Sequence, residues 1–298
     1  MKNTGLKYLI IIFLISTRCT IPIESENYAY ERSIVVDGLL TDEYKYHQLS
    51  LNYSKPISNE LIDLHVEASV WVETGDGSII NYIKEDTHYA SEIPFAGSPG
   101  ETYQLHFTTA EGKEYQSNII TLVEAPEIDS VYDQYVEIAE DKAIQNVGGI
   151  QFFLDTHDET QSAKFFRYEW QEDYKIITPY QAHFRFLYPE EIIVAIEDTI
   201  NICYARNVSQ SILIANTIES GNRIAEFPIR FVSGETDYLR NSYAILVKQY
   251  AVSPEAYNYY RKFKELNEST GSLFDQQQGA LPGNVVSMDD PYEVVLGY

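Results

Sequence analysis

Leu64-His-Val-Glu-Ala-Ser-Val-Trp-Val-Glu-Thr-Gly-Asp-Gly-Ser-Ile-Ile-Asn-Tyr-Ile83 decides the fold. Val66, Ala68, Val70 and Val72 alternate with His65, Glu67, Ser69 and Trp71, the period-2 pattern of a strand with one face in a core and one in water. Gly75-Asp76-Gly77 is a hairpin turn signal, because the tight turn needs residues that tolerate a positive φ. Ile79 to Ile83 is the return strand.

The same grammar extends in both directions. Upstream lie Ser33-Ile-Val-Val-Asp-Gly-Leu-Leu40 and the alternating run Tyr46 to Tyr53, with His47, Leu49 and Leu51 on one side. Downstream come Tyr89 to Phe95, the turn Gly97-Ser-Pro-Gly100, Thr102 to Thr108, the turn at Glu111-Gly112 and a final run from Glu114 to Val123. About seven short strands with turns every 8–12 residues and no helix predict an immunoglobulin-like β-sandwich over residues 31–125. Pro126 cannot continue a central strand and marks the boundary.

Residues 127–298 read as a second β-rich domain. Strand patterns fall at 131–138, 149–155, 164–172, 192–196, 200–204, 211–215, 224–232 and 241–251. Residues 180–188 are aromatic-rich and fit no class. One amphipathic helix is predicted over 253–267. Ser253 is the N-cap, Pro254 takes the first helical position, and Ala256, Tyr259, Tyr260, Phe263 and Leu266 form one stripe. Tyr292 to Tyr298 reads as a strand cut off at the last residue, so either this domain is truncated at its C-terminus and has lost following strands, or the run supplies an edge. The expected fold is thus mainly β, two β-rich domains with a single helix.

The N-terminus carries an address. Lys2 and Lys7 precede the apolar run Tyr8 to Ile15, and Ser16-Thr-Arg-Cys19 follows. The run is far shorter than the roughly 20 residues that cross a bilayer, and the positive start with a short apolar segment is a secretory signal. Residues 1–18 are read as signal peptide and 19–30 as lipid anchor and tether, with Cys19 the lipidated residue. Ser16 and Thr17 suit a lipoprotein peptidase and Arg18 does not. Ordinary cleavage finds no Ala-x-Ala site, and an uncleaved anchor is a third route.

The chain has 21 basic and 45 acidic residues, a net charge of −24. Loss of residues 1–18 removes Lys2, Lys7 and Arg18 and raises this to −27. Such a surface repels nucleic acid and anionic lipid and attracts cations or basic partner surfaces, with solubility as the plainer reason for it; nucleic acid is not an expected partner. Tyrosine is the notable aromatic, with 25 residues, a side chain suited to strands and interfaces. With Cys19 lipidated, Cys203 is left unpaired. Its setting, Ile200-Asn-Ile-Cys-Tyr204, predicts a small buried hydrophobe.

No catalytic motif is present: no His-Glu-x-x-His, Gly-x-Ser-x-Gly, phosphate-binding loop, dinucleotide fingerprint or Cys-x-x-Cys. The six histidines never recur at metal-ligand spacing. Asp155, His157, Asp158 and Glu159 are the densest set of possible ligands, but lack the glycine turn and following glutamate of a calcium loop, and read as a solvated loop. Glu190-Glu191 and Asp289-Asp290 are adjacent pairs that would point apart on a strand. No catalytic residue, metal ligand or cofactor is expected.

Val35-Val-Asp-Gly-Leu-Leu-Thr41, Gly97-Ser-Pro-Gly-Glu-Thr-Tyr-Gln-Leu105, Ile128-Asp-Ser-Val-Tyr132, the tyrosine-rich helix near 257–260, Gly283-Asn-Val-Val-Ser287 and Val295-Leu-Gly-Tyr298 follow one another after the cysteine signal. In that order the chain resembles a Bacteroidota family of envelope lipoproteins, domain of unknown function 4249. The first domain is similar to the transthyretin-like or carboxypeptidase-regulatory sandwiches found beside TonB-dependent receptors. The resemblance implies attachment to the outer membrane and a role as non-enzymatic accessory of such a receptor, with the receptor or a small extracellular ligand as partner. It offers no catalytic residues. Arg18 departs from the family pattern, as does an end at the Leu-Gly-Tyr position. An envelope hydrolase using carboxylates such as Asp155, Asp158 and Glu159, and a structural or degenerate fragment, are the competing expectations.

Overall fold

The structure is a computed structural model that describes residues 32–55, 64–139, 146–268 and 280–298. Its architecture is mainly β with a single described helix. Eight strands come first: β1 (Ile34–Gly38), β2 (Gln48–Tyr53), β3 (Ala68–Thr74), β4 (Ile79–Glu85), β5 (His88–Ser91), β6 (Thr102–Thr109), β7 (Glu114–Ser117) and β8 (Ile120–Thr121). Seven longer or irregular ones follow: β9 (Ile128–Ile138), β10 (Val147–His157), β11 (Phe165–Leu187), β12 (Ile192–Val208), β13 (Leu213–Asn216), β14 (Arg223–Ser233) and β15 (Ser242–Ala251). Helix α1 (Pro254–Glu268) and two short strands, β16 (Val285–Ser287) and β17 (Leu296–Gly297), complete the described chain.

The early strands build one sheet in the order β16-β7-β6-β3-β4-β5-β2-β1-β17, with β8 added to β6. Every pairing in it is antiparallel except β1 with β17. The alternation seen in sequence is realised in β3, where Val70 and Val72 enter the core while Trp71 faces outward beside His106. Leu49 and Leu51 enter it from β2, and His47 just before β2 is buried with Nε2 against the Phe95 carbonyl at 3.0 Å. Tyr89 spans a gap in the ladder: its hydroxyl donates to Val66 O at 2.7 Å and accepts from Ala68 N at 2.9 Å. The turn at 75–77 forms as expected, with Gly77 at φ 82° and Asp76 accepting from Thr74 Oγ1 and Ser78 N.

The sheet curls until its two ends nearly meet. The end strands β16 and β17 both come from residues 282–298, and Pro282 bridges to Leu296 while Gly283 N donates to Val295 O at 2.9 Å. Val285 and Val295 sit in the same apolar core as Ile34, Val36, Phe107 and Tyr115. Residues that fall in the second region of the sequence therefore close the first sheet.

A second core gathers Leu154, Phe166, Tyr168, Trp170, Ile224 and Ile229. It lies between the three-stranded sheet β14-β10-β9 and a sheet centred on β11, which pairs with β15 on one side and with β13 and β12 on the other. Strand β11 alternates from Phe166 to Tyr174, burying Phe166, Tyr168, Trp170, Glu172 and Tyr174. The aromatic run 180–188 that fitted no class is its continuation, and the two strands expected at 192–196 and 200–204 are one, β12.

Helix α1 starts as read. Ser253 Oγ accepts from Ala256 N at 3.1 Å, and Glu255 lies in the first turn. Its stripe packs at the N-terminal half only: Ala256 is buried, while Phe263 is exposed. No described helix is long and apolar enough to cross a membrane.

Candidate functional site

Cys19, the expected lipidation site, lies outside the described residues. The acidic cluster is described, and it diverges. Asp158 is buried and closes its own loop, with Oδ1 accepting from Thr160 N at 2.9 Å and Oδ2 from Ala163 N at 2.8 Å. Burial opposes its ionisation, but these bonds prevail and hold the carboxyl below its ordinary value. Asp155 turns to the other side and accepts from Glu226 N at 2.7 Å. Glu159 is exposed, and His157 holds Asp129 at 2.6 Å. Among the described residues no three His, Cys, Asp or Glu side chains assemble into a metal-ligand group. Nor do the adjacent acidic pairs converge: Glu190 and Glu191 sit in a turn, Asp289 accepts from Glu114 N, and Asp290 from Tyr292 N.

A cavity of about 220 Å³ opens where the first sheet faces β15 and the start of α1. Aliphatic side chains such as Leu40, Leu105, Leu122 and Val252 make about half of its wall, and polar ones, among them Thr41, Asp42, Gln48, Gln249 and Asn284, also reach it. Tyr82, Tyr103, Tyr250, Tyr260 and Tyr298 contribute aromatic rings. Its one cationic side chain, Arg167, is already engaged. Nη2 lies 2.6 Å from Glu169 Oε1, Nη1 donates to Tyr260 Oη at 2.8 Å, and the guanidinium stands 4.6 Å from the centre of the Tyr260 ring. Tyr250 Oη donates to the second Glu169 oxygen at 3.1 Å. Glu43, next in sequence to the lining residue Asp42, joins Lys45 at 3.0 Å and Lys248, next to Gln249, at 3.1 Å, which keeps its carboxyl below the ordinary value.

A second polar arrangement was not visible in sequence. Glu172, within the alternating aromatic run of β11, is fully buried. Arg230 of β14 meets it with two bonds of 3.0 Å, Asn207 donates at 2.8 Å and Tyr243 Oη at 2.7 Å. Arg230 also lies 4.7 Å above the Trp170 ring. Burial raises the carboxyl's proton affinity, and the four donated bonds outweigh it, so Glu172 stays ionised below the usual glutamate range. Every lone-pair direction is used, which makes this a structural clamp between two sheets and leaves no acid or base free for chemistry.

Apart from residues 128–132, the sequence stretches that stood out contribute to the cavity wall. Val36, Gly38, Leu39, Leu40 and Thr41 line it from the first. Gly97 presses on Leu40 and Leu122, where a Cβ would come within 2.7 and 2.8 Å, and Tyr103 follows in the same motif. Tyr260 comes from the helix, Asn284 and Val285 from the next stretch, and Tyr298 from the last. A family model matches residues 18–298. The chain belongs to the DUF4249 family, a domain of unknown function. No curated protein and no solved structure matches it.

This DUF4249 chain also carries an arm. Strand β15 pairs with β11 only as far as Lys175, whereas β12 follows β11 to Leu187. The distal hairpin is therefore two strands wide and wet on both faces. Tyr180, Phe184, Phe186, Tyr188, Ile192 and Ile193 are all exposed, Tyr188 to 81%. Its register slips twice, between Ile177 and Ala182 and again between Ala182 and Phe184. Pro179 sits in the first slip. Cys203, expected to be buried, is exposed here. The alternating pattern was real, but among the described residues no third layer covers it.

Proposed function

We propose that the chain is an outer-membrane lipoprotein of the Bacteroidota type, anchored through Cys19, which acts as a non-enzymatic accessory of a TonB-dependent receptor. In this reading the first sheet is the carboxypeptidase-regulatory-like module, and the protein holds a partner without transforming it. The observation that carries the reading is the arm. A two-stranded ribbon with Phe184, Phe186, Tyr188 and Ile193 in water is an apolar surface without an internal purpose, and such surfaces mark protein contacts. Pro179 interrupts strand addition along the ribbon, so its contact is through side chains. The exposed Glu190 and Glu191 at its turn suit a partner cleft with a basic rim.

The test places a photo-reactive phenylalanine analogue at position 186 in cells, with position 44 on the exposed loop before β2 as control. An adduct with one outer-membrane receptor from position 186 alone is the expected result. Cys19→Ala should abolish palmitate labelling and membrane pelleting and weaken that adduct. Equal adducts from both positions, or none, would overturn the reading. A Cys19→Ala chain that still pellets would replace lipid by an uncleaved anchor.

A further inference from the structure

We propose that the cavity between the first sheet and the β15–α1 corner is a binding site for a small, uncharged, largely apolar molecule of about bicyclic size. This site is separate from the arm and does not depend on the receptor reading. The size follows from the volume. A closed apolar space of about 150 Å³ takes up benzene. At about 220 Å³, the same proportion gives room for about nine non-hydrogen atoms.

The charge follows from Arg167. A free guanidinium in an apolar wall would recruit an anion. This one is neutralised by Glu169 at 2.6 Å and capped by Tyr260, and Glu169 in turn takes the Tyr250 hydroxyl. An anionic ligand would have to displace Glu169 or sit beside its carboxylate, and would also meet Asp42 in the lining; a cation would meet Arg167, while Asp42 is exposed and already solvated. A neutral molecule encounters neither cost. The apolar character follows from the remaining wall. Leu40, Leu105, Leu122 and Val252 offer no hydrogen bonds, and the tyrosine rings beside them offer ring faces and edges suited to an aromatic guest. Polar lining side chains such as Thr41, Gln48, Gln249 and Asn284 interrupt that surface, and Gln249 Oε1 is a buried acceptor without a partner, so one N–H on the guest is accommodated.

The experiment is a methyl NMR titration of the full chain with indole and, in parallel, with indole-3-carboxylate. Indole at millimolar concentration is expected to shift Leu40, Leu122 and Val252 resonances saturably. The carboxylate should bind at least about tenfold more weakly. Ala256→Leu, which pushes a side chain into the cavity from α1, should abolish the indole shifts. Val252→Phe does so from another wall should the first variant fail to fold. Absence of saturable shifts in the unaltered chain would overturn the proposal. So would a carboxylate that binds as tightly as indole, which would make the site an anion site at Arg167. Shifts that persist in a folded cavity-filled variant would place the indole elsewhere and equally overturn it.

Discussion

Gly283 and Gly297 are in backbone contact: a Cβ built on Gly283 would lie 1.7 Å from the Gly297 carbonyl oxygen. Gly297 in turn has φ 89°, and a Cβ there would lie 1.8 Å from Val36 O. Three backbone segments thus touch where the sheet closes, and only glycine permits it. Gly297→Ala must both strain φ and part β17 from β1. The expected loss is about 3 kcal/mol or more, measured by urea unfolding. Gly221→Ala is the control, since Gly221 also has positive φ but open space around its Cα, and should cost about 1–2 kcal/mol. Equal losses at the two sites would show that closure contributes nothing.

Glu172 is fully buried, and Arg230, its side chain 26% exposed, pairs with it from β14. Glu172→Ala leaves the guanidinium and the Asn207 and Tyr243 donors without their acceptor and is expected to cost about 3 kcal/mol, the lower end for a broken buried pair because water reaches Arg230. Glu172→Gln keeps the shape and should cost less. Because the folded carboxyl sits below its ordinary 4.5, its contribution is fully present above that value and is lost as pH falls through the lower folded one. Acid unfolding followed by Trp170 fluorescence should therefore be shallower in Glu172→Gln than in the parent. Parallel acid profiles would refute the assignment.

His157 shows the opposite sign. Its bond to Asp129, and that carboxylate's charge, raise the imidazole above 6.5. The attraction is complete below 6.5 and fades as pH rises through the raised value. An NMR titration of the His157 ring should give a midpoint above 6.5 that returns toward it in Asp129→Asn. Since the ring is 45% exposed, solvent screening keeps any effect on stability small.

Much of this fold was legible because period-2 alternation is local. Val66 to Val72 reads correctly without knowing its neighbours, and so does the Ser253 cap. What local patterns do not carry is which segments meet. Gly283 and Gly297 lie in weak, short stretches, and nothing in either shows that they lean on Val36. The cavity was illegible for the same reason: Leu40, Tyr103, Val252, Asn284 and Tyr298 are distant in sequence and each has an ordinary local role. Glu172 had a signal that could have been used. It occupies the buried phase of a strand whose other members are Phe166, Tyr168, Trp170 and Tyr174, and a carboxylate in that phase demands a cation. Cys203 misled because alternation reports a two-sided ribbon, not which side is covered.

Phe166 and Phe186 belong to one strand, β11, yet their fates differ. Phe166 is 1% exposed in the second core, and Phe186 is 60% exposed on the arm. Phe166→Ala removes a packed ring and should cost about 3–5 kcal/mol. Phe186→Ala removes a ring that water already surrounds and should change stability by about 0.5 kcal/mol or less. The same holds for Phe184→Ser combined with Ile193→Ser. These arm variants should melt like the parent while losing the receptor adduct, because the rings serve a contact outside the chain. If Phe186→Ala instead destabilises as much as Phe166→Ala, the arm is packed within the protein, and its apolar side chains no longer argue for a partner.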